Sequence, residues 1–330
     1  MEEKKKTARE IIEGYDGPPV RIMEVCGTHT HEIFRLGIRK LLPEQVELIS
    51  GPGCPVCVTQ VGFIDEAIYL ALERQVTICT FGDLVRVPGT NMSLAGARER
   101  GAKIRIVYSP VDAKEYAKEH PKEQVTFLSV GFETTTPSAC LSVKKAREED
   151  LTNYSILTAN KTMPQAYEAL KGSADIFLYP GHVNAITGTK LCEELAKEGV
   201  SGVVAGFTAK ELLTALAVAL ARFQEGRPFF VNCYPRVVTE NGSPQAQKLV
   251  EEMMEPCDSE WRGLGVIKGS GMRLQEEWSA FDARKKYKIP PIQGKANPAC
   301  RCGDVLQGKC KPSDCKVFGK VCTPQHPVGA

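Results

Sequence analysis

Residues 20–31 read Val20-Arg-Ile-Met-Glu-Val-Cys26-Gly-Thr-His29-Thr-His31, and an amphipathic stretch runs on from Glu32 to Leu42. A short apolar, β-branched run, a glycine-bearing polar loop and a helical period make a strand–loop–helix unit. Working outward, the same unit recurs. Val46–Ile49, Val76–Phe81 and Ile104–Tyr108 are strand-like, with helical spacing over Phe63–Arg74 and Ser93–Arg100. A second alternation places strands at Val125–Val130, Tyr154–Thr158, Ile176–Tyr179 and Gly202–Ala205. Its helices fall at Ser138–Glu149, Pro164–Leu170, Lys190–Glu198 and Ala209–Phe223, the last opened by a Thr208/Glu211 capping box. Alternation of this kind predicts the α/β class, with parallel sheets covered by helices. Two similar small parallel-sheet domains are expected, at 18–115 and 116–232. Beyond them Pro244–Met254 and Met272–Arg284 look helical, and from Ile289 onward Pro, Gly, Lys and Cys replace any period. Residues 233–330, joined by 1–17, are expected to form a third, mostly helical and loop-rich domain folded around a metal.

The chain has 330 residues, 42% hydrophobic and 25% charged, which excludes disorder. Forty-two Lys+Arg against 40 Asp+Glu leave +2, which gives no support for nucleic acid or an acidic membrane as partner. The most apolar stretch, Leu212–Ala221, is too short to span a bilayer, and the charged N-terminus has no signal-peptide core. The cytoplasm is the expected compartment. Thirteen cysteines are present, five of them within the last 31 residues. In a reducing compartment such clustering reads as metal or redox chemistry, not as a disulfide framework.

Five constellations carry the chemistry. Cys26-Gly-Thr-His29-Thr-His31 follows the first strand, at the sheet end where α/β folds bind ligands. A thiol there, near a helix N-terminus, is expected to be partly thiolate, and the imidazoles can ligate metal, bond a ligand or move protons. The plainer alternative is a half-buried cysteine with capping histidines. Gly51-Pro-Gly-Cys54-Pro-Val-Cys57 follows the next strand. Its C-x-x-C spacing is both a redox and a chelating one, so Cys26, Cys54 and Cys57 are expected to converge on one sheet edge as three soft ligands for iron, copper(I) or zinc. Gly131-Phe-Glu133-Thr-Thr-Thr136 offers a carboxylate and hydroxyls at a strand end, or merely a cap. Pro180-Gly-His182-Val-Asn184 places a histidine in the equivalent position. Last come Cys300, Cys302, Cys310, Cys315 and Cys322, a density that favours a four-thiolate iron–sulfur cluster first and structural zinc second. Cys79, Cys140, Cys192, Cys233 and Cys257 read as packing residues.

In this order, C-G-T-H-x-H, G-P-G-C-P-V-C, G-F-E-T-T, P-G-H-V and a terminal C-R-C-G with F-G-x-x-C-T-P resemble the HypD family of hydrogenase maturation proteins. The likeness runs from about Arg21 to Ala330. It implies a scaffold for building the Fe(CN)2CO group of [NiFe]-hydrogenase. The work is done with a small HypC-family chaperone and a HypE-family protein that carries cyanide as thiocyanate. It implies iron held at Cys26, a redox-active pair at Cys54 and Cys57, and His29, Glu133 and His182 facing one inter-domain cleft. It also implies a [4Fe-4S] cluster, for which Cys302, Cys315 and Cys322 are the expected ligands and Cys300 the expected fourth. Family members usually continue past Gly-Ala with two more cysteines; if one of those is a cluster ligand, the fourth ligand here is Cys300 or Cys310, or the cluster is lost. The chemistry agrees: releasing cyanide from a thiocyanate takes two electrons, which a dithiol gives together and a cluster gives singly. Two other readings stay open on the residues alone. One is a general iron–sulfur-linked thiol–disulfide oxidoreductase using Cys54 and Cys57; the other is a zinc-stabilised binding module.

Overall fold

The computed structural model describes residues 6–329. Its strands are β1 Val20–Glu24, β2 Val46–Ser50, β3 Thr77–Thr80, β4 Ile104–Ile106, β5 Val125–Gly131, β6 Tyr154–Asn160, β7 Ile176–Pro180, β8 Ser201–Ala205, β9 Phe230–Asn232, β10 Met254–Trp261 and β11 Gly265–Leu274. Two parallel sheets carry the fold, with orders β2-β1-β7-β8-β9 and β4-β3-β5-β6. β5, β6, β7 and β8 are buried along their whole length, as sheets covered on both faces by helices require. The α/β class expected from the alternation is the observed one.

The division of the chain differs from the expected one. One compact unit comprises residues 6–54, Tyr167–Pro244 and Val305–Lys309. The other comprises Pro55–Ala166, Gln245–Asp304 and Cys310 onward. The expected domain 18–115 is therefore split, because β1 and β2 pair with β7 while β3 and β4 pair with β5. Strand alternation reports that sheets exist. It does not report which strand joins which sheet, and that is decided by packing.

Nor does a third domain stand apart. The N-terminal helix Ala8–Glu13 puts Ile12 into the same core as Ile22, Leu178, Leu216 and Leu220 of the first unit. Residues 1–5 and 330, which belonged to that expected domain, lie outside the described residues. The helix Pro244–Met253 forms as read. Met272–Arg284 does not: its first residues complete the antiparallel hairpin β10–β11, and only two short helical turns follow. Gly263, Gly265 and Gly269 all take positive φ there, the left-handed backbone that a hairpin turn uses and a helix cannot. The hairpin belongs to the second unit. Met253, Met254 and Leu274 join the core under β5 and β6. Lys161, fully buried, donates from Nζ to Ser259 Oγ (2.6 Å) and the Glu260 carbonyl (2.7 Å).

Candidate functional site

In the first sheet, β1 leads to β2 on one side, while β7, β8 and β9 build out on the other. The chain reverses direction between β1 and β7, and the carboxyl ends flanking such a switch point form a crevice. Four loops end there. Cys26 is the N-cap residue of helix Gly27–Arg35 after β1. The Gly51–Cys54 loop after β2 is stitched to it: Gly27 N–H donates to the Gly53 carbonyl (2.9 Å), and Gly51 N–H to the Glu24 carbonyl (2.9 Å). A methyl on Gly53 would lie 2.0 Å from the Cys26 nitrogen, and one on Gly27 would lie 3.2 Å from Cys54 Cβ. Glycine at 53 is what lets the two cysteine loops touch. Beneath them Glu24, wholly buried, accepts from Arg39 (2.6 Å) and Thr30 Oγ1 (2.6 Å), tying the strand end to the helix.

The histidines of this unit gather around one ring. Phe207, after β8, lies 4.8 Å from His29 and 5.0 Å from His182, centroid to centroid. Its position is set by the Thr208/Glu211 capping box foreseen in the sequence, since Glu211 Oε2 accepts from the Phe207 N–H (2.9 Å). His29 Nε2 lies 3.1 Å from the Gly206 carbonyl and 3.3 Å from that of Ala205. Both partners only accept, so Nε2 carries the proton and the buried, unpartnered Nδ1 is the basic lone pair. Burial, helped by the neighbouring His182, pulls His29 down to about 4, and burial lowers His182 as well. Both rings are neutral at pH 7. His31, two residues on, points the other way and is solvent-exposed.

Cys26 is a correction. A thiol at a helix N-terminus was expected to be partly thiolate, yet burial pushes it up to about 11. The backbone N–H groups of His29 and Thr28 pull the opposite way and lose, because the residue is 1% exposed.

The second unit holds the remaining candidates. Its sheet also reverses, between β3 and β5, and Glu133 follows β5 at that end. Glu133 Oε1 accepts from the Met163 N–H (2.8 Å), while Oε2 is buried without a partner. Burial raises its carboxyl to about 7. Cys57 also belongs here, three residues along the chain from Cys54, in the turn before the helix Val61–Glu73.

Arg262, in a stretch that shares the family likeness, and Lys161 carry no expected site role, yet they organise this unit. Arg262, at the end of the hairpin strand β10, donates from Nε to the Thr59 carbonyl (2.8 Å) and from its backbone N–H to Val58 (2.8 Å). Its charge is felt by Cys300, Cys302 and Cys57 alike. Gly263 and Gly303 meet backbone to backbone: a methyl on Gly263 would lie 2.3 Å from Gly303 Cα. The turn after β10 is thus wedged between the loop of Cys57 and the loop of Cys302. Lys161 packs over Trp261 (5.4 Å), which itself stacks on Phe132 (5.7 Å), and burial pulls the amine down to about 7. No carboxylate pairs with this lysine among the described residues. The sequence signal that could have found Arg262 is the Trp-Arg-Gly-Leu-Gly turn itself.

Cys300, Cys302, Cys315 and Cys322 lie within electrostatic reach of one another. The thiols of Cys300 and Cys302 hydrogen-bond each other, and Cys302 also senses Cys322 and Cys315. A methyl on Gly329 would lie 2.6 Å from Cys300 Sγ and 2.8 Å from Cys302 Sγ. The bond donated by Cys302 holds the Cys300 thiol down at about 6, and Cys302, keeping the shared proton, is raised. Cys315 is lowered by the N–H groups of Val317 and Arg301, and Cys322 Sγ accepts from the Val328 N–H (3.3 Å). Backbone N–H groups aimed at sulfur favour thiolate, the form in which cysteine binds metal. Among the described residues no three His, Cys, Asp or Glu side chains close on a single-ion position. A four-iron cluster asks for something else, one thiolate on each of four separate irons, and this soft donor set suits it. The cavity beside Cys300, Cys302 and Arg262 measures about 1100 Å³.

No helix among the described residues is long and apolar enough to cross a membrane. A sequence profile of the HypD family, described as the hydrogenase formation hypA family, matches residues 2–330. The chain is 43% identical over 320 residues to the hydrogenase maturation factor HypD of Escherichia coli K12, covering 94% of this chain and 85% of that protein. It is 40% identical over 331 residues to HypD of Cupriavidus necator (96% and 87%) and 42% over 342 residues to that of Rhizobium leguminosarum (99% and 88%). With the motifs in family order and the whole length matched, the chain belongs to the HypD family of hydrogenase maturation factors.

Proposed function

We propose that this protein is a scaffold on which the Fe(CN)2CO group of [NiFe]-hydrogenase is assembled, with a HypC-family chaperone and a HypE-family cyanide donor as partners and the cytoplasm as its reducing setting. The observation that carries this reading is the contact of the Cys26 and Cys54 loops at the switch point of the first sheet, beside two neutral histidines. Iron is the cargo. Cys26 keeps its proton at rest, and a metal ion displaces that proton on binding, so loading is coupled to the arrival of iron. His29 and His182, uncharged, add no positive charge against the incoming cation. Glu133, near 7, can hold or release a proton at neutral pH.

Cys300, Cys302, Cys315 and Cys322 are the residues that would hold a [4Fe-4S] cluster, which when bound supplies electrons one at a time. Cyanide release balances as R–S–C≡N plus two electrons giving R–S⁻ and CN⁻. The C-x-x-C pair supplies both electrons as its two thiols become a disulfide and give up two protons.

The test is anaerobic purification with iron, zinc and sulfide analysis, alongside maturation in cells lacking their own copy. Cys26→Ala should keep iron and sulfide in equal amounts yet abolish hydrogenase activity. Full maturation by that variant removes Cys26 as the iron site, and disulfide turnover surviving in it favours the general oxidoreductase. Zinc without sulfide overturns the cluster.

A further inference from the structure

The segment joining Cys315 to Cys322 is a compact turn closed on itself. Phe318 N–H donates to the Cys315 carbonyl (3.0 Å), Cys322 N–H to Val317 (2.9 Å) and Gly319 N–H to Cys322 (3.0 Å). Gly319 takes φ +69° at its apex. Closing the turn this way pushes Phe318 and Val321 outward. They are 56% and 68% exposed, among the most exposed large apolar residues of the second unit. Lys316 and Lys320 neighbour them in the chain, Lys311 lies a few residues earlier, all three are exposed, and no carboxylate pairs with these three among the described residues. From Cys310 to Gly329 there are three lysines, one aspartate and no glutamate, in a chain whose total is only +2. Asp314 is engaged with the Lys311 backbone N–H (2.8 Å). The result is an exposed apolar tip with unpaired lysines beside it in the chain, on the segment between two cysteines. Val321 also lines the cavity that Cys300 and Cys302 border.

We propose that this tip is the docking surface for a small acidic electron-carrier protein. The inference rests on the cluster assignment given above and deepens it by naming the partner's class. Charge complementarity selects an acidic partner and speeds its encounter. Redox encounters are small and transient, so two apolar side chains and neighbouring positive charge suffice, where a permanent complex would need far more area. The site on Cys315 and Cys322 makes the partner a carrier of electrons and not merely an acidic protein, since docking here brings its redox centre against those two sulfurs. Each encounter oxidises one carrier by one electron. Two carriers, with two protons from solvent, account for returning the C-x-x-C pair from disulfide to dithiol.

The test titrates the anaerobically purified full chain with a plant-type [2Fe-2S] ferredoxin, a strongly acidic probe, by calorimetry. The expected result is binding that weakens by about tenfold or more between 0.05 and 0.5 M salt. Lys316→Glu with Lys320→Glu should weaken it by a similar factor at low salt while iron content stays unchanged. Lys316→Gln with Lys320→Gln guards against misfolding and should lose about threefold. Phe318→Ala should weaken binding and leave the salt dependence intact. Unchanged affinity in the charge variants, equal binding of basic cytochrome c, or displacement of the ferredoxin by a thymidine oligonucleotide overturns the inference, the last marking a general polyanion site. Iron-free wild-type protein overturns the cluster and this inference together. Iron-replete protein with unaltered titrations overturns the inference alone.

Discussion

Glu24 and Glu133 meet the cost of burying a carboxylate differently. Glu24 stays with a cation, Arg39, and a hydroxyl donor. Glu133 has backbone donors only and one bare oxygen, so its proton is retained to about 7 instead. An unfolded glutamate titrates near 4.5. Below that pH both states are protonated and the residue carries no penalty. As pH rises from 4.5 through 7, the unfolded chain ionises first and the folded form loses ground, by about 3 kcal/mol in full. Glu133→Gln should therefore raise the unfolding midpoint at pH 8 and leave it nearly unchanged at pH 4.5. Parallel thermal melts at the two pH values measure this, and equal shifts at both would show that the carboxyl is solvated. The sequence exposed Glu133, His29 and His182 as polar residues at strand ends. It also led to a reactive Cys26, and there it erred, because a motif shows which groups are near and not how deeply water is excluded from them.

Among the elements, the loop Gly51–Cys54 and the hairpin β10–β11 do the positioning. Gly53→Ala should be destabilising by several kcal/mol or force the two cysteine loops apart, since the added carbon meets the Cys26 backbone and nothing there is a flexible side-chain end. Denaturant unfolding, read with the alkylation rate of Cys26, checks this. A rise in alkylation is the expected sign of separation. In the hairpin, Trp261 is fully buried, donates to Ser270 Oγ (2.7 Å) and stacks on Phe132. Trp261→Ala should cost about 3–5 kcal/mol through the cavity it leaves. The loss should appear as accelerated hydrogen exchange in β10 and β11 before the parallel sheets. Helix caps and buried strands were legible here, since Thr208/Glu211 and the runs of β5 to β8 obey local rules. The hairpin was not: Met272–Arg284 has helical periodicity, and only the paired strand Met254–Trp261, invisible to a single window, makes its first residues extended.

At the scale of the whole molecule the chain passes from one unit to the other and back, and each sheet is built from separated segments. A fragment of residues 1–115, which the alternation alone would present as a domain, holds β3 and β4 without β5 and β1 and β2 without β7. It should show no cooperative thermal transition by circular dichroism, whereas the full chain should. Residues 1–115 contain every local signal of a folded unit, so what they lack is partners, a property that no local pattern encodes.

That weave has a consequence during synthesis. β1 and β2 leave the ribosome early, but the far edge of β1 meets β7 only after roughly 150 further residues have been translated. At about 5–20 residues per second, that edge waits roughly 8–30 seconds as an open template for any passing strand. The loops of Cys26 and Cys54 are born on that waiting pair, so their strand edge stays open to stray pairing until translation has run past residue 180.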